Sequence, residues 1–372
     1  MTTTQQDLHY MTLALRLAAR GRGTVSPNPM VGAVVVKRGR IVGKGYHRRP
    51  GEPHAEILAL HQAGARSRGA TLYVTLEPCC HRAKRTPPCV PAVIQSGVHR
   101  VVVATRDPNP QVRGNGIAQL RQAGLSVSVG TAGSEADQLN RSYNHWIKAK
   151  RPFVTLKAGM TLDGQIATAS GESQWITSVQ SRREVHQLRS QTDAVMVGIG
   201  TVISDDPALT ARTGTRLRRP AARQPLRVVV DSRLRIPSDA QILSHQNLAK
   251  TVVATTRSAS TAKRKALEKQ GIEVLSLPSQ RGRVSLSALV RELGKRGITS
   301  LLVEGGGEIN AAMLKAELVQ HVRLYLAPAL LGGRNAKGVI GGKSPARITQ
   351  ALKLKQVRTR SVGSDLVIEG DA

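Results

Sequence analysis

The alternation of apolar and polar positions divides the chain into two series of short elements. An amphipathic helix opens the first series, with Leu8, Met11, Leu15 and Ala18 recurring at helical spacing. Val31 to Val36, a Lys-Arg-Gly-Arg turn and Ile41 to Gly45 read as a β-hairpin. Helical spacing returns from Ala55 to Ala63. An apolar strand runs from Thr71 to Leu76, a short helix spans Pro91 to Ser96, and Arg100 to Ala104 is a buried strand. A helical stretch from Glu135 to Ile147 closes the series and leads into Lys148-Ala-Lys-Arg-Pro152, a charged segment ending in proline with the character of a domain boundary.

The second series has apolar runs at Phe153 to Leu156, Ala194 to Val197, Leu226 to Val230, Thr251 to Ala254, Ser300 to Val303 and His321 to Leu326, several of them separated by helical segments. Alternation of this kind predicts layered α/β packing in both halves. With 372 residues the chain exceeds the usual size of one core, so the expectation is two α/β domains, residues 1–147 and 148–372. The Arg-rich stretch from Arg212 to Gln224 is too poor in apolar residues to pack and reads as a surface loop.

Composition narrows the class. No apolar run approaches the roughly 18 residues needed to span a bilayer, and the opening residues lack a signal-like apolar core, so the expected location is cytoplasmic with no membrane partner. The three cysteines, Cys79, Cys80 and Cys89, fall in one short segment, which suits a metal or catalytic site better than a disulfide framework. Formal net charge is +31 and the sequence pI about 11.3, a balance that favours polyanionic partners. The basic residues are nevertheless spread along the whole chain and aromatics make up 2%, too few for stacking platforms on single-stranded nucleic acid. A phosphorylated small molecule is the better-fitting partner.

The sharpest chemical signal is His54-Ala-Glu56, followed by Pro78-Cys79 and then Cys89. One imidazole and two thiolates give a three-ligand zinc site with a fourth position left for water, as a catalytic zinc requires. Glu56, two residues beyond His54 at a helix start, is placed to carry protons without being a ligand. This combination is the signature of zinc-dependent nucleobase deaminases. Nine residues separate Cys79 from Cys89, so an inserted loop lies beside the metal. The competing reading closes the tetrahedron with Cys80 or His81 and makes the zinc structural.

Taken in order, Pro27-Asn-Pro-Met-Val-Gly-Ala33, Gly51-Glu-Pro-His-Ala-Glu56, Leu76-Glu-Pro-Cys-Cys-His81 and Arg85-Thr-Pro-Pro-Cys89 closely resemble the bifunctional riboflavin-biosynthesis deaminase/reductase family. The likeness continues through Gly171-Glu-Ser-Gln-Trp-Ile-Thr177, Thr201-Val-Ile-Ser-Asp-Asp-Pro207 and Val303-Glu-Gly-Gly-Gly307. The resemblance implies a cytidine-deaminase-like α/β/α domain followed by a dihydrofolate-reductase-like α/β domain. It implies deamination of 2,5-diamino-6-(5-phosphoribosylamino)pyrimidin-4(3H)-one, then NADPH-dependent reduction of the ribosyl group of 5-amino-6-(5-phosphoribosylamino)uracil. It carries over His54, Cys79 and Cys89 as zinc ligands, Glu56 as proton donor, and Asn28, His47, His81 and Arg85 as substrate contacts. It also implies a homo-oligomer.

In the second half, Glu304-Gly-Gly-Gly307 follows a buried strand and precedes a helical segment beginning near Ile309, so its amides are placed to approach a pyrophosphate. A plain tight chain reversal fits the same residues. No Gly-x-Gly-x-x-Gly follows an early strand, which disfavours a Rossmann domain. The resemblance implies NADPH contacts at Gly159, Trp175, Thr201, Asp205, Ser232 and Gly305, Gly306 and Gly307, and substrate contacts at Lys157, Ser173, Arg189, Leu209, Arg212 and Glu304. Arg189 and Arg212 suit a phosphate because a guanidinium grips it through two parallel hydrogen bonds. Two other readings remain: a tRNA or nucleobase deaminase, which leaves the second half unexplained, and a basic nucleic-acid-binding protein with a structural zinc.

Overall fold

A computed structural model describes residues 3–81, 86–214, 219–221 and 223–372, and it divides into two compact units, Met1–Lys150 and Arg151–Ala372. The division lies inside the charged segment Lys148 to Pro152, three residues beyond the bound of 147. The closing helix carries on to Ala149 before Lys150 turns into the left-handed region and ends it. The single helix expected from Glu135 to Ile147 is two, Gly133–Leu139 and Arg141–Ala149, broken at Asn140. Asn140 leaves the helical path because its side chain is engaged elsewhere, accepting from Met30 N and donating to Met30 O.

In the first unit, β1 (Gly32–Lys37) and β2 (Arg40–Tyr46) form the predicted hairpin. With β3 (Thr71–Leu76), β4 (Arg100–Thr105) and β5 (Ser126–Val129) they make a five-stranded sheet in the order β2-β1-β3-β4-β5. β3, β4 and β5 run parallel. Helices cover both faces. Ala55, Ala59 and Ala63 of α2 (Ala55–Ala63), Val90 and Val93 of α3 (Cys89–Gln95) and Leu120 of α4 (Asn115–Gln122) pack on Ala33, Leu72, Val74 and Val101. Met11 and Ala14 of α1 (Thr3–Ala18) and Ala136 of α5 (Gly133–Leu139) pack on Val34, Val36, Tyr73 and Val102 on the other side. This is an α/β/α sandwich, the expected architecture.

The buried stripe of α1 is Asp7, Met11, Ala14 and Ala18, with Leu8 exposed. Asp7 is drawn inward because Arg100 donates to both of its oxygens, at 2.8 and 2.6 Å, and Tyr73 donates at 2.8 Å. On the opposite face, α2 approaches β2 unusually closely: an ideal Cβ at Gly43 would lie 2.0 Å from Ala59 O, and one at Gly45 would lie 2.5 Å from Ala55 O. Only glycine fits, and this contact seats the start of α2.

The second unit is built on a nine-stranded sheet. Its order is Glu273–Leu277, Thr251–Thr256, Leu226–Val230, Ala194–Gly198, Ser300–Val303, Phe153–Thr161, His321–Ala327, Asp365–Asp371 and Lys355–Val362. The first seven strands are parallel, and the last two close the sheet as an antiparallel hairpin. Two apolar clusters, one around Leu156, Met196 and Val303 and the other around Val197, Val229 and Val253, cover the two faces. Within the stretch read as a surface loop, Arg212–Thr213 pairs with Arg219–Pro220, and Ala211 and Ala221 are buried beside it. No helix among the described residues is long and apolar enough to cross a membrane.

Gly43→Val is expected to destabilise the first unit by about 1–3 kcal/mol, the usual cost of overpacking a tight interior. Thermal unfolding against the unsubstituted chain measures it.

Candidate functional site

His54 stands at the N-cap of α2, and Glu56 lies in its first turn. Cys79 follows the end of β3, and Cys89 begins α3. These elements bring His54 Nδ1 to 3.2 Å from Cys89 Sγ and 3.5 Å from Cys79 Sγ, with the three donor atoms all within 4.8 Å of one another. Tetrahedral zinc with metal–nitrogen and metal–sulfur lengths of about 2.0 and 2.3 Å separates its ligand atoms by about 3.5 Å, so the trio fits that ion. Cys80 does not close the site, since its Sγ is directed toward Gln111 O. Neither Cys80 nor His81 joins the trio.

Glu56 completes the fit. It is buried, and among the described residues its Oε2 finds no hydrogen-bond partner, although it faces the same cavity as the trio. Burial, reinforced by the negative Cys79, raises its pKa above the ordinary carboxylate value against the opposing effect of His54. A buried carboxyl oxygen with no partner, beside three metal donors, suits a group that exchanges protons with a bound molecule.

The supporting contacts fix the imidazoles. Thr86 Oγ1 lies 3.1 Å from His54 Nε2, leaving Nδ1 for the metal. Asn28 Nδ2 donates to His47 Nε2 at 3.0 Å, which places the His47 proton on Nδ1, toward Pro53 O at 3.4 Å. The cavity holds about 500 Å³ and brings together Asn28, His47, His54, Glu56, Cys79 and His81. Arg85 lies outside the described residues. The cavity wall also contains residues that the motifs did not single out: Thr86, Asp107, Asn109, Tyr143 and Trp146. Asp107 follows β4 and is buried; its pKa is raised to about 6, first by burial, although Asn109 N and Tyr143 Oη donate to it.

In the second unit the candidates gather at the carboxyl ends of adjacent parallel strands, the usual ligand edge of such sheets. Thr201 and Asp205 lie on the helix after Ala194–Gly198, Ser232 just beyond Leu226–Val230, and Glu304 to Gly307 just beyond Ser300–Val303, while Lys157 and Gly159 belong to Phe153–Thr161. Glu304 is the hub. Arg189 donates to it from Nε at 2.6 Å and Nη2 at 3.1 Å, and Lys157 Nζ donates at 3.3 Å. Burial alone would raise the Glu304 pKa, but the two cations outweigh it and hold it at about 2. Burial also pushes the Lys157 pKa below the ordinary lysine value in spite of Glu304.

Arg189 therefore does not present a free fork to a phosphate, because that edge is held by Glu304 while Nη1 donates to Thr210 O. Arg212 is exposed, with Nε on Thr210 Oγ1. Leu209 buries its side chain in the core, so contact with a ligand falls to its main chain. Ser173 Oγ donates to Asp205 Oδ1, Ser232 Oγ accepts from Val284 N, and Trp175 is 70% exposed beneath the Arg182 guanidinium. The plain chain-reversal reading of the glycine turn has support. A Cβ at Gly305 would meet Ile309 at 1.7 Å, one at Gly307 would meet Gly338 O at 2.6 Å, and Gly306 N already donates to Thr201 Oγ1.

The two units match two family descriptions: "Cytidine and deoxycytidylate deaminase zinc-binding region" over residues 4–105 and "RibD C-terminal domain" over residues 152–368. The chain is 44% identical over 366 residues to the riboflavin biosynthesis protein RibD of Actinobacillus pleuropneumoniae, covering 98% of this chain and 95% of the relative. The chain belongs to the RibD family. The RibD of Acinetobacter baumannii superposes with a TM-score of 0.87 at 35% identity, covering all of both chains. The deaminase/reductase from Thermotoga maritima superposes with a TM-score of 0.85 at 35% identity over 99% of each. The protein is thus a bifunctional deaminase and reductase of riboflavin biosynthesis, with zinc and NADPH as cofactors. RibD membership accounts for both halves, and neither nucleic-acid reading does.

Because the folded-state pKa of Glu304 is depressed, its stabilising contribution is present above its ordinary value of 4.5 and is lost as pH falls from there toward 2. Glu304→Gln is expected to cost about 3–5 kcal/mol at pH 7, since it leaves buried cations uncompensated, and to flatten this part of the acid limb. Denaturant unfolding at pH 7 and pH 3 measures both effects.

Proposed function

We propose that the Met1–Lys150 unit deaminates 2,5-diamino-6-(5-phosphoribosylamino)pyrimidin-4(3H)-one and that the Arg151–Ala372 unit reduces the ribosyl group of 5-amino-6-(5-phosphoribosylamino)uracil to ribityl. The observation that carries the reading is the His54–Cys79–Cys89 trio with the unpartnered Glu56 oxygen on the same cavity. The Thermotoga maritima relative is a diaminohydroxyphosphoribosylaminopyrimidine deaminase and 5-amino-6-(5-phosphoribosylamino)uracil reductase, which supports the same pair of substrates here.

His54, Cys79 and Cys89 would hold zinc, which when bound supplies the Lewis acidity that makes water a nucleophile near neutral pH. Glu56 receives the proton of the attacking water and returns it to the departing amino group, a task served by a carboxyl whose pKa is raised. Asn28 and the neutral His47 fix the pyrimidine beside it, with His81 and Arg85 read as further substrate contacts.

Gly159, Trp175, Thr201, Asp205, Ser232, Gly305, Gly306 and Gly307 are read as holding NADPH, which when bound supplies the hydride. Lys157, Ser173, Arg189, Leu209, Arg212 and Glu304 would take the sugar phosphate. Arg189 acts through Glu304, while the exposed Arg212 is the guanidinium available to an anion. The outer edge of the Lys355–Val362 strand is exposed along almost its whole length, which supports assembly with a second copy. The clustering of Cys79, Cys80 and Cys89 in one short segment at the candidate metal site supports a cytoplasmic location.

The deciding experiment follows ammonia release and NADPH oxidation in the wild type and in Glu56→Gln. The variant is expected to keep one zinc per chain, to lose ammonia release by about 10²–10⁴-fold, and to oxidise NADPH normally when given the uracil intermediate. Undiminished ammonia release would refute the role of Glu56.

A further inference from the structure

Glu77 is the first residue after β3 and lies two positions before Cys79. Its side chain is buried and accepts three main-chain hydrogen bonds. Oε2 accepts from Asp107 N at 3.2 Å and Gly114 N at 3.0 Å, and Oε1 accepts from Ile117 N at 3.1 Å. Gly114 is the N-cap of α4, has φ 82°, and has no side chain with which to cap the helix. Glu77 supplies that cap from another strand, satisfying amides that a helix start otherwise leaves unmet. Its remaining bond, to Asp107, holds the far end of the same segment.

Residues 107–117 are therefore tied at both ends to the chain that leads into Cys79. The fit has no slack on the inner side, because a Cβ at Gly116 would lie 2.1 Å from Pro78 O. Between the two ties, Asp107 and Asn109 face the cavity. They are linked to each other through Asn109 N and Asp107 Oδ1 at 2.9 Å, and Tyr143 Oη anchors Asp107 from α6 (Arg141–Ala149) at 3.1 Å. Beside the main-chain pairing of β3 and β4 and the Tyr143 anchor, one buried carboxylate thus ties this wall of the cavity to the chain entering Cys79.

Accepting the deaminase reading given above, we infer that Glu77 is a positioning residue of the deamination site: it fixes the Asp107–Asn109 wall relative to Cys79 and so governs how tightly the pyrimidine substrate is held. Glu77 borders the same cavity, but both of its oxygens are occupied by main-chain N–H groups, so it acts through the wall it holds. Its loss therefore weakens binding that is common to ground and transition states, which appears in KM and not in kcat.

The experiment measures ammonia release with the diaminopyrimidine phosphoribosyl substrate on the full chain, alongside zinc content. In Glu77→Gln one oxygen still accepts, but the new amide group points its hydrogens at a main-chain N–H. KM is expected to rise about tenfold or more, kcat to stay within about threefold, zinc to remain at one per chain, and NADPH oxidation with the uracil intermediate to be unaltered. Combined with Asn109→Ala, which itself raises KM, Glu77→Gln is expected to add less than about threefold, because the wall it positions is already missing. An unchanged KM in Glu77→Gln, or full additivity in the double variant, overturns the inference. Should Glu77→Gln fail to fold, Asn109→Ala decides alone, and an unchanged KM there overturns it. Absence of ammonia release in the wild type overturns the deaminase reading itself, an outcome distinct from either.

Discussion

Parallel strands deliver all their carboxyl ends to one edge of a sheet, and both sites of this chain are consequences of that constraint. In the first unit, Glu77 and Cys79 leave β3 beside the point where Asp107 leaves β4, and Glu77 N bonds to Thr105 O across the pair. In the second, the strands that end at Thr161, Gly198, Val230 and Val303 are neighbours or near neighbours in the sheet. Residues far apart in sequence become adjacent without any long-range search by their own loops. The loops then need only short-range chemistry to finish the site, as Cys89 N does in donating to Cys79 O at 3.0 Å.

The two sites handle buried charge in opposite ways. At Glu56 one carboxyl oxygen has no partner among the described residues, so burial dominates and raises its pKa. At Glu304 the environment supplies two cations, and the carboxyl is held ionised well below its ordinary range. The same side-chain type thus has its pKa raised in one unit and lowered in the other, and the difference lies in what surrounds each oxygen.

The candidate metal trio was legible in the sequence because zinc demands particular atoms, and His54, Cys79 and Cys89 carry that demand in their spacing, with Glu56 beside them. Most strands of both units were legible for a similar reason: runs such as Thr71 to Leu76 and Leu226 to Val230 are too apolar to lie anywhere but inside. What escaped notice depends on tertiary partners. Asp7 reads as a polar position on a helix, and only Arg100 and Tyr73 explain its burial. Asp107, Tyr143 and Trp146 have no motif, since their place in the cavity follows from the break at Asn140 and the end of β4. Cys80, a chemically suitable ligand, was excluded by direction alone, and Arg189 proved to be committed to Glu304, which no count of arginines reveals.

The Asp7–Arg100 pair has a bearing on how the chain matures. Its two members are 93 residues apart, so α1 emerges from the ribosome long before the strand that neutralises and buries its inward carboxylate. At a synthesis rate of about 5–20 residues per second, that carboxylate waits several seconds for its guanidinium. The cover that α1 lays on β1 can therefore form early, whereas the polar bond that fixes its inward carboxylate is completed only once β4 has been made.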